Sequence, residues 1–193
     1  MNGKNLILLG GGGHCKSVID VAESAGYTIL GILDKPEEVG KNVLSYQVIG
    51  TDDDIDKYVD KAEFVITVGQ IKSSTLRRKI SERVENAGGR LATVIAPDAV
   101  VSKYASIGQG TVILHNCVVN ADARIGRNCI INTMANIEHD VQIGDFCHIS
   151  TGTMVNGTVK IGSDTFVGSG SVIYNNIEIP KDSIIPAGTT VRK

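Results

Sequence analysis

The sequence has no tryptophan, and aromatic residues make up only 4% of it, so its interior cannot be organised around large rings. Aliphatic side chains must fill that space, and they do so most densely when stacked in a regular interior. Neither charge sign dominates: 19 Lys and Arg stand against 21 Asp and Glu, a net charge of -2. That balance lacks the basic footprint expected of a protein that binds nucleic acid or an anionic membrane. No apolar run approaches the roughly 18 residues that cross a bilayer. The stretch Leu6–Leu9 is too short for the core of a secretory signal. The four cysteines include no CxxC pair and read as reduced thiols of a cytoplasmic protein. What the 193 residues do have is 22 glycines and a 42% hydrophobic share, with room for one ordinary domain or two small ones.

From Ile95 onward every sixth residue is Ile or Val, without a slip in phase, through Val191. Four residues after each hit the side chain is nearly always small, as at Ala105, Thr111, Cys117, Cys129, Cys147 and Thr165; Ile177 is the large exception. A period of six is neither the 3.6 of a helix nor the 2 of a lone strand. It fits a short strand and a turn, three of which make a triangular coil of eighteen residues, each coil pairing with the next about 4.8 Å away. The Ile/Val would point inward, and Cys129 and Cys147, eighteen apart, should meet in the core. Gly108, Gly126, Gly144, Gly162 and Gly168 follow the hydrophobic position, where the corner is expected to need unusual dihedrals. Stability in such a stack comes from neighbouring coils.

The first ninety residues read instead as α/β. Strands are expected at 5–9, 27–33 and 64–68, with helices around 16–25 and 74–86. Gly10-Gly11-Gly12-Gly13-His14 lies between the first strand and the first helix, and Asp34 follows about twenty residues later. A glycine turn of this kind lets backbone approach a phosphate at a helix N-terminus, and the acid can grip a ribose hydroxyl. The spacing is not G-x-G-x-x-G, so a mononucleotide or nucleotide-sugar site, a plain structural turn and a dinucleotide site all stay open. The division expected is 1–92, a small Rossmann-like domain holding a nucleotide-sugar, and 93–193, an all-β parallel helix.

Among His14, His115, His139 and His148, the third stands out by position. Its column neighbours eighteen residues away are Ala121 and Gly157, which leaves space beside the imidazole and brings a backbone amide within one rung. A base with an open face and a nearby N–H are what acyl transfer from a thioester requires. Asp140 follows directly and could orient the ring.

The six-residue repeat resembles that of the left-handed β-helix acyltransferases. The run Asn132…Ile137-Glu138-His139-Asp140, then Phe146-Cys147-His148, is similar to the sialic acid O-acetyltransferases and to the bacterial N-acetyltransferases of nucleotide-linked amino-sugars such as bacillosamine precursors. The glycine loop with His14, Leu33-Asp34 and Val68-Gly69 extend the resemblance over nearly the whole chain. The resemblance implies a left-handed helix, a homotrimer with clefts between prisms, and acetyl-CoA as cosubstrate without a metal. It implies His139 as general base, Asp140 as its partner and Asn132 as support for that pair. It further implies His148, Gly157, Ser169 and Ala187 along the coenzyme, the Gly157 amide facing the thioester oxygen. Gly12, Gly13, His14, Asp34 and Gly69 would hold the nucleotide or sugar. Asp140 replaces the Glu of several relatives, Lys35 stands where some carry a second acid, and the sequence closes on Thr190-Val191-Arg192-Lys193 in place of a Val-Pro-Ala-Lys-type tail.

Competing functions are an O-acetyltransferase of sialic acid and a non-catalytic protein that binds a sugar nucleotide. A zinc enzyme of the γ-carbonic anhydrase kind would need a His-x4-His pair, whereas His115, His139 and His148 are 24 and 9 apart.

Overall fold

The computed structural model describes residues 4–192. It divides into two compact units, one taking the chain to Gly69 together with Thr75–Val94, the other taking Gln70–Ser74 and everything from Ile95. The outer ends of the two expected domains, residues 1–3 and 193, lie outside the described residues.

The first unit is built on a five-stranded sheet in the order β3-β4-β2-β1-β5, from β1 (Asn5–Leu9), β2 (Thr28–Leu33), β3 (Asn42–Val43), β4 (Tyr46–Gly50) and β5 (Glu63–Ile66). All pairings are parallel except β3 with β4. Leu6–Leu9 are fully buried because β1 is an interior strand, paired with β2 on one side and β5 on the other. The helix α1 (Gly13–Ser24) buries Cys15, Val18, Ile19, Val21 and Ala22 as one stripe. A second helix, α2 (Thr75–Asn86), buries Ile80 and Val84 with Phe64, Ile66 and Leu91. The short pair β3 and β4 had no counterpart in the sequence reading; β4 alternates exposed and buried positions over only five residues. Because β2 and β5 flank β1 on opposite sides, chain connections diverge above the carboxyl end of β1 and open a crevice there.

The second unit is a triangular parallel β-helix of two-residue strands, from Val94–Ile95 to Thr190–Val191, forming three parallel sheets. Ile113, Ile131, Ile149 and Val167 stack in the first face, Val119, Ile137, Val155 and Ile173 in the second, and Ile125, Ile143, Ile161 and Ile179 in the third. The small corner residues also point inward: Thr111, Cys117, Cys129, Cys147, Thr153 and Thr165 have no exposed surface. Cys147 meets Cys129 as the eighteen-residue spacing requires, and that thiol contact, with burial added to it, pushes the Cys147 thiol pKa up.

The corner glycines serve another purpose than the one expected. Gly108, Gly126, Gly144, Gly162 and Gly168 do not have positive φ. They are glycine because the next coil passes close by: a Cβ on Gly162 would lie 2.4 Å from the Lys181 nitrogen, and one on Gly168 2.4 Å from the Ala187 nitrogen. The left-handed conformation falls two residues later, at Asn116, Asp122, Asn128, Asp140, Asp164, Asn176 and Asp182. Asn and Asp tolerate that region best among residues with a side chain. From Asn128 onward each of these turns ties to the coil before it, as in Asp140 N–H to Ala121 O at 3.1 Å.

Candidate active site

His139 sits at the corner after the second face, 59% exposed at its side chain. Its Nδ1 is 2.8 Å from Asp140 Oδ2. The left-handed φ of 61° at Asp140 folds the carboxylate back onto the neighbouring ring, so the turn itself assembles the pair. With Nδ1–H donating to the carboxylate, Nε2 keeps its lone pair. The ring lies over Gly157, where a Cβ would fall 2.7 Å from Cε1 and 2.8 Å from Nε2. Among the described residues no protein acceptor takes the Gly157 N–H, while its carbonyl accepts from Asn176. An imidazole with a free nitrogen thus lies beside an uncommitted amide, which suits proton removal and stabilisation of an oxyanion.

Asn132 does not support this pair. Its Nδ2 is 3.0 Å from His148 Nε2 and its Oδ1 accepts from Thr133 N–H at 2.8 Å. The reason is register: residue 132 projects from the first face, and seven residues carry the chain past a corner and across the second face before His139. His148 is buried on the first face, donates Nδ1–H to the Gln70 carbonyl at 2.6 Å and meets the Phe166 ring edge at 5.2 Å. Both of its ring nitrogens are therefore engaged within the chain, and Gln70 in turn donates to Phe146 O at 2.7 Å. Ser169 and Ala187 are exposed at the corner after the first face, Ser169 Oγ 2.8 Å from Ser150 Oγ. A whole face separates them from His139 and Gly157. Beside His139, Glu138 is held by Asn120 (3.0 Å) and Asn136 (2.9 Å), a cluster the sequence reading did not single out. Its only signal was the shared outward phase of the three positions on the second face.

In the first unit, Gly12, Gly13, His14, Asp34 and Gly69 come together. They line one cavity of about 770 Å³ at the carboxyl end of β1, with Lys35, Asp52, Asp53, Leu76, Ile80 and Arg83 among its other walls. Gly12 caps α1 without a side-chain bond, and nothing lies within 4 Å of where Cβ atoms on Gly12 and Gly13 would be. The N-terminus of α1 thus meets the cavity with no side-chain cap over it and open space beside Gly12 and Gly13, a site suited to phosphate. Asp34 accepts Gly11 N–H at 2.6 Å and Lys35 N–H at 2.8 Å, so its first task is to hold the glycine loop. Thr67 and the buried Arg77 brace the same loop from beneath, Thr67 donating to Gly10 O and Arg77 to Ile66 O and Val68 O. Among the described residues no group of three His, Cys, Asp or Glu is arranged to hold a metal, and no helix is long and apolar enough to cross a membrane.

Comparison with known proteins follows this division. Residues 5–84 match the PglD N-terminal domain, and residues 104–139 and 122–157 match the bacterial transferase hexapeptide (six repeats). Perosamine N-acetyltransferase from Caulobacter crescentus, seen as a histidine-to-asparagine variant with CoA and GDP-perosamine, is 29% identical with a TM-score of 0.92 over 100% of this chain and 90% of that one. The acetyltransferase domain of PglB from Neisseria gonorrhoeae is 30% identical with a TM-score of 0.90 over 98% of this chain and 91% of that one. An uncharacterised protein of Acanthamoeba polyphaga mimivirus is 36% identical over 103 residues, 53% of this chain; the match spans only 20% of that protein's length. The chain therefore belongs to the hexapeptide-repeat, left-handed β-helix acetyltransferases of the bacillosamine and perosamine type.

Proposed function

We propose that this protein transfers acetyl from acetyl-CoA to the amine of a nucleotide-linked amino-sugar. The observation that carries this is the His139 ring, tethered to Asp140 through Nδ1 and packed on Gly157 with its other nitrogen unspent. The amine attacks the thioester carbonyl carbon as Nε2 of His139 takes a proton from it. The Gly157 N–H steadies the oxyanion; the C–S bond then breaks, and the imidazolium returns the proton to the departing thiolate. No covalent enzyme intermediate is needed. An amine acceptor is favoured over a hydroxyl by the perosamine relative, an N-acetyltransferase seen with an amino-sugar nucleotide. Acetyl-CoA is favoured by the PglB domain, which has been seen with that coenzyme.

In this reading the α/β unit holds the acceptor, with its diphosphate at the amides of Gly12, Gly13 and His14, while Asp34 and Gly69 shape the loop around it. Ser169 and Ala187 line the coenzyme. Asn132 and His148 act from behind, by fixing Gln70 on the first face. The working form is a homotrimer. The outward residues of the third face include Arg124, Gln142, Lys160 and Glu178, whereas four of the six on the second face are apolar, Val100, Val118, Met154 and Val172, with Asn136 and Thr190 the polar two. Val100 is 65% exposed, an arrangement that favours coverage by another copy. His139 and Gly157 flank that face on one side, Ser169 and Ala187 on the other, so cyclic repetition brings one copy's base to the next copy's coenzyme groove. Four unpaired, buried thiols and the use of acetyl-CoA fit the cytoplasm.

The test is coenzyme A release, followed with a thiol reagent, from acetyl-CoA and a panel of nucleotide amino-sugars and sialic acids. One amino-sugar nucleotide should be turned over, and His139→Ala should lower kcat by about 10²–10⁴-fold with unchanged circular dichroism. Undiminished turnover in that variant would refute the general base. Tight sugar-nucleotide binding with no turnover of any acceptor would make this an accessory protein.

A further inference from the structure

We propose that Asp52 reads the nucleobase in the α/β cavity and that the base it selects is guanine. This rests on the cavity being a nucleotide-sugar site and goes one step past it, to the identity of the nucleotide.

Four aspartates cluster at or near the cavity, and three are already committed. Asp34 accepts the Gly11 and Lys35 amides. Asp53 is paired with Arg83. Asp54 accepts Thr51 N–H at 2.8 Å and the Lys57 ammonium, closing a capping box on the 3-10 helix Asp52–Lys57. Asp52 alone is half-buried, lines the cavity and receives no hydrogen bond from any described protein group. Burial raises its pKa; Arg83 pulls it down again, and Asp34 and Asp53 add to the rise. A carboxylate in that position is stabilised by donors that arrive with a ligand.

The donor pattern then decides between bases. A carboxylate offers two acceptor oxygens side by side. Guanine presents N1–H and the N2 amino group side by side and satisfies both. Uracil presents a single N–H between two carbonyls, while adenine and cytosine set a ring acceptor beside their amino group. Leu76, Ile80 and Arg83 fall on one face of α2 at spacings of four and three, giving the ring an apolar wall that ends in a cation.

Calorimetric titration of the full chain with GDP, IDP and UDP tests this, because hypoxanthine, the base of IDP, differs from guanine only by the missing N2 amino group. GDP should bind about ten- to hundredfold more tightly than either of the others, the effect of one or more charge-assisted hydrogen bonds. Asp52→Asn should bring the GDP-to-IDP ratio toward unity, and the IDP arm needs no variant to fold. Equal binding of GDP and IDP, or UDP binding as tight as GDP, would overturn the guanine assignment and leave the transferase reading intact. Failure of all three nucleotides to bind while acetyl-CoA still binds would overturn both.

Discussion

The two units reach functional geometry by opposite means. In the β-helix every position has a counterpart eighteen residues away, so the environment of His139 follows from counting: Gly157 lies under the ring and Ala121 behind Asp140. In the α/β unit nothing repeats. Its cavity depends on single contacts between residues far apart in sequence, such as Asp34 on Gly11 and Arg77 on Ile66 and Val68. A repeated core spreads its energy over many equivalent coils, whereas a unique core concentrates it in a few irreplaceable groups.

The strongest way to break that contrast is at Arg77, which is 1% exposed. Arg77→Ala should cost about 4 kcal/mol by leaving two carbonyls unsatisfied above a cavity. The expected outcome is an early separate melting step with the β-helix signal preserved; a single shared transition would show that the units do not melt independently. Next comes alkaline pH, which should strike both units. Burial raises the Cys15 and Cys117 thiols from 9.0 to about 11, desolvation being the first cause at each. The folded state therefore keeps protons that the unfolded chain loses. Stability should be full below pH 9 and fall as pH climbs toward 11, by about 2.7 kcal/mol per thiol. Denaturant midpoints measured from pH 8 to 11 would show it, and a flat profile would contradict it.

Within the β-helix, Gly162→Ala should cost about 2 kcal/mol, because its Cβ would collide with backbone at Lys181. Repetition should confine the damage to the adjacent coils, so hydrogen exchange should rise there and little elsewhere. The smallest effect expected is at Gly157→Ala. The group its Cβ meets is a partly exposed imidazole that can move aside. Stability should barely change while kcat falls about tenfold, roughly 1.4 kcal/mol, and a loss in melting temperature comparable to that of Gly162→Ala would mean the ring is held more rigidly than its exposure suggests.

The same contrast explains what could be read in advance. The phase of the repeat located every inward residue, the stacked pair Cys129 and Cys147, and the space beside His139. It misassigned Asn132, since a motif written in one line hides that residues 132 and 139 belong to different faces, while Asn132 and His148 share one. The corner glycines were rightly seen as special but for the wrong cause: the sequence records that no side chain is tolerated, not whether dihedral or neighbour forbids it. In the α/β unit the glycine loop and Asp34 were legible as a motif. The strands β3 and β4, too short to show a period, were not. Nor was Asp52, one of three consecutive aspartates that differ only in what their oxygens meet.

By itself, then, the sequence determined the coil, its register and the placing of a histidine over a glycine, because periodic burial of apolar side chains admits one pleat and one phase. Tertiary structure alone decided which polar groups are spent and which are left for a ligand: Asn132 on His148, Asp34 on its loop, Asp52 unpaired. Hydrogen bonds are directional and short, so a partner is settled by angstroms of three-dimensional approach that linear spacing does not encode.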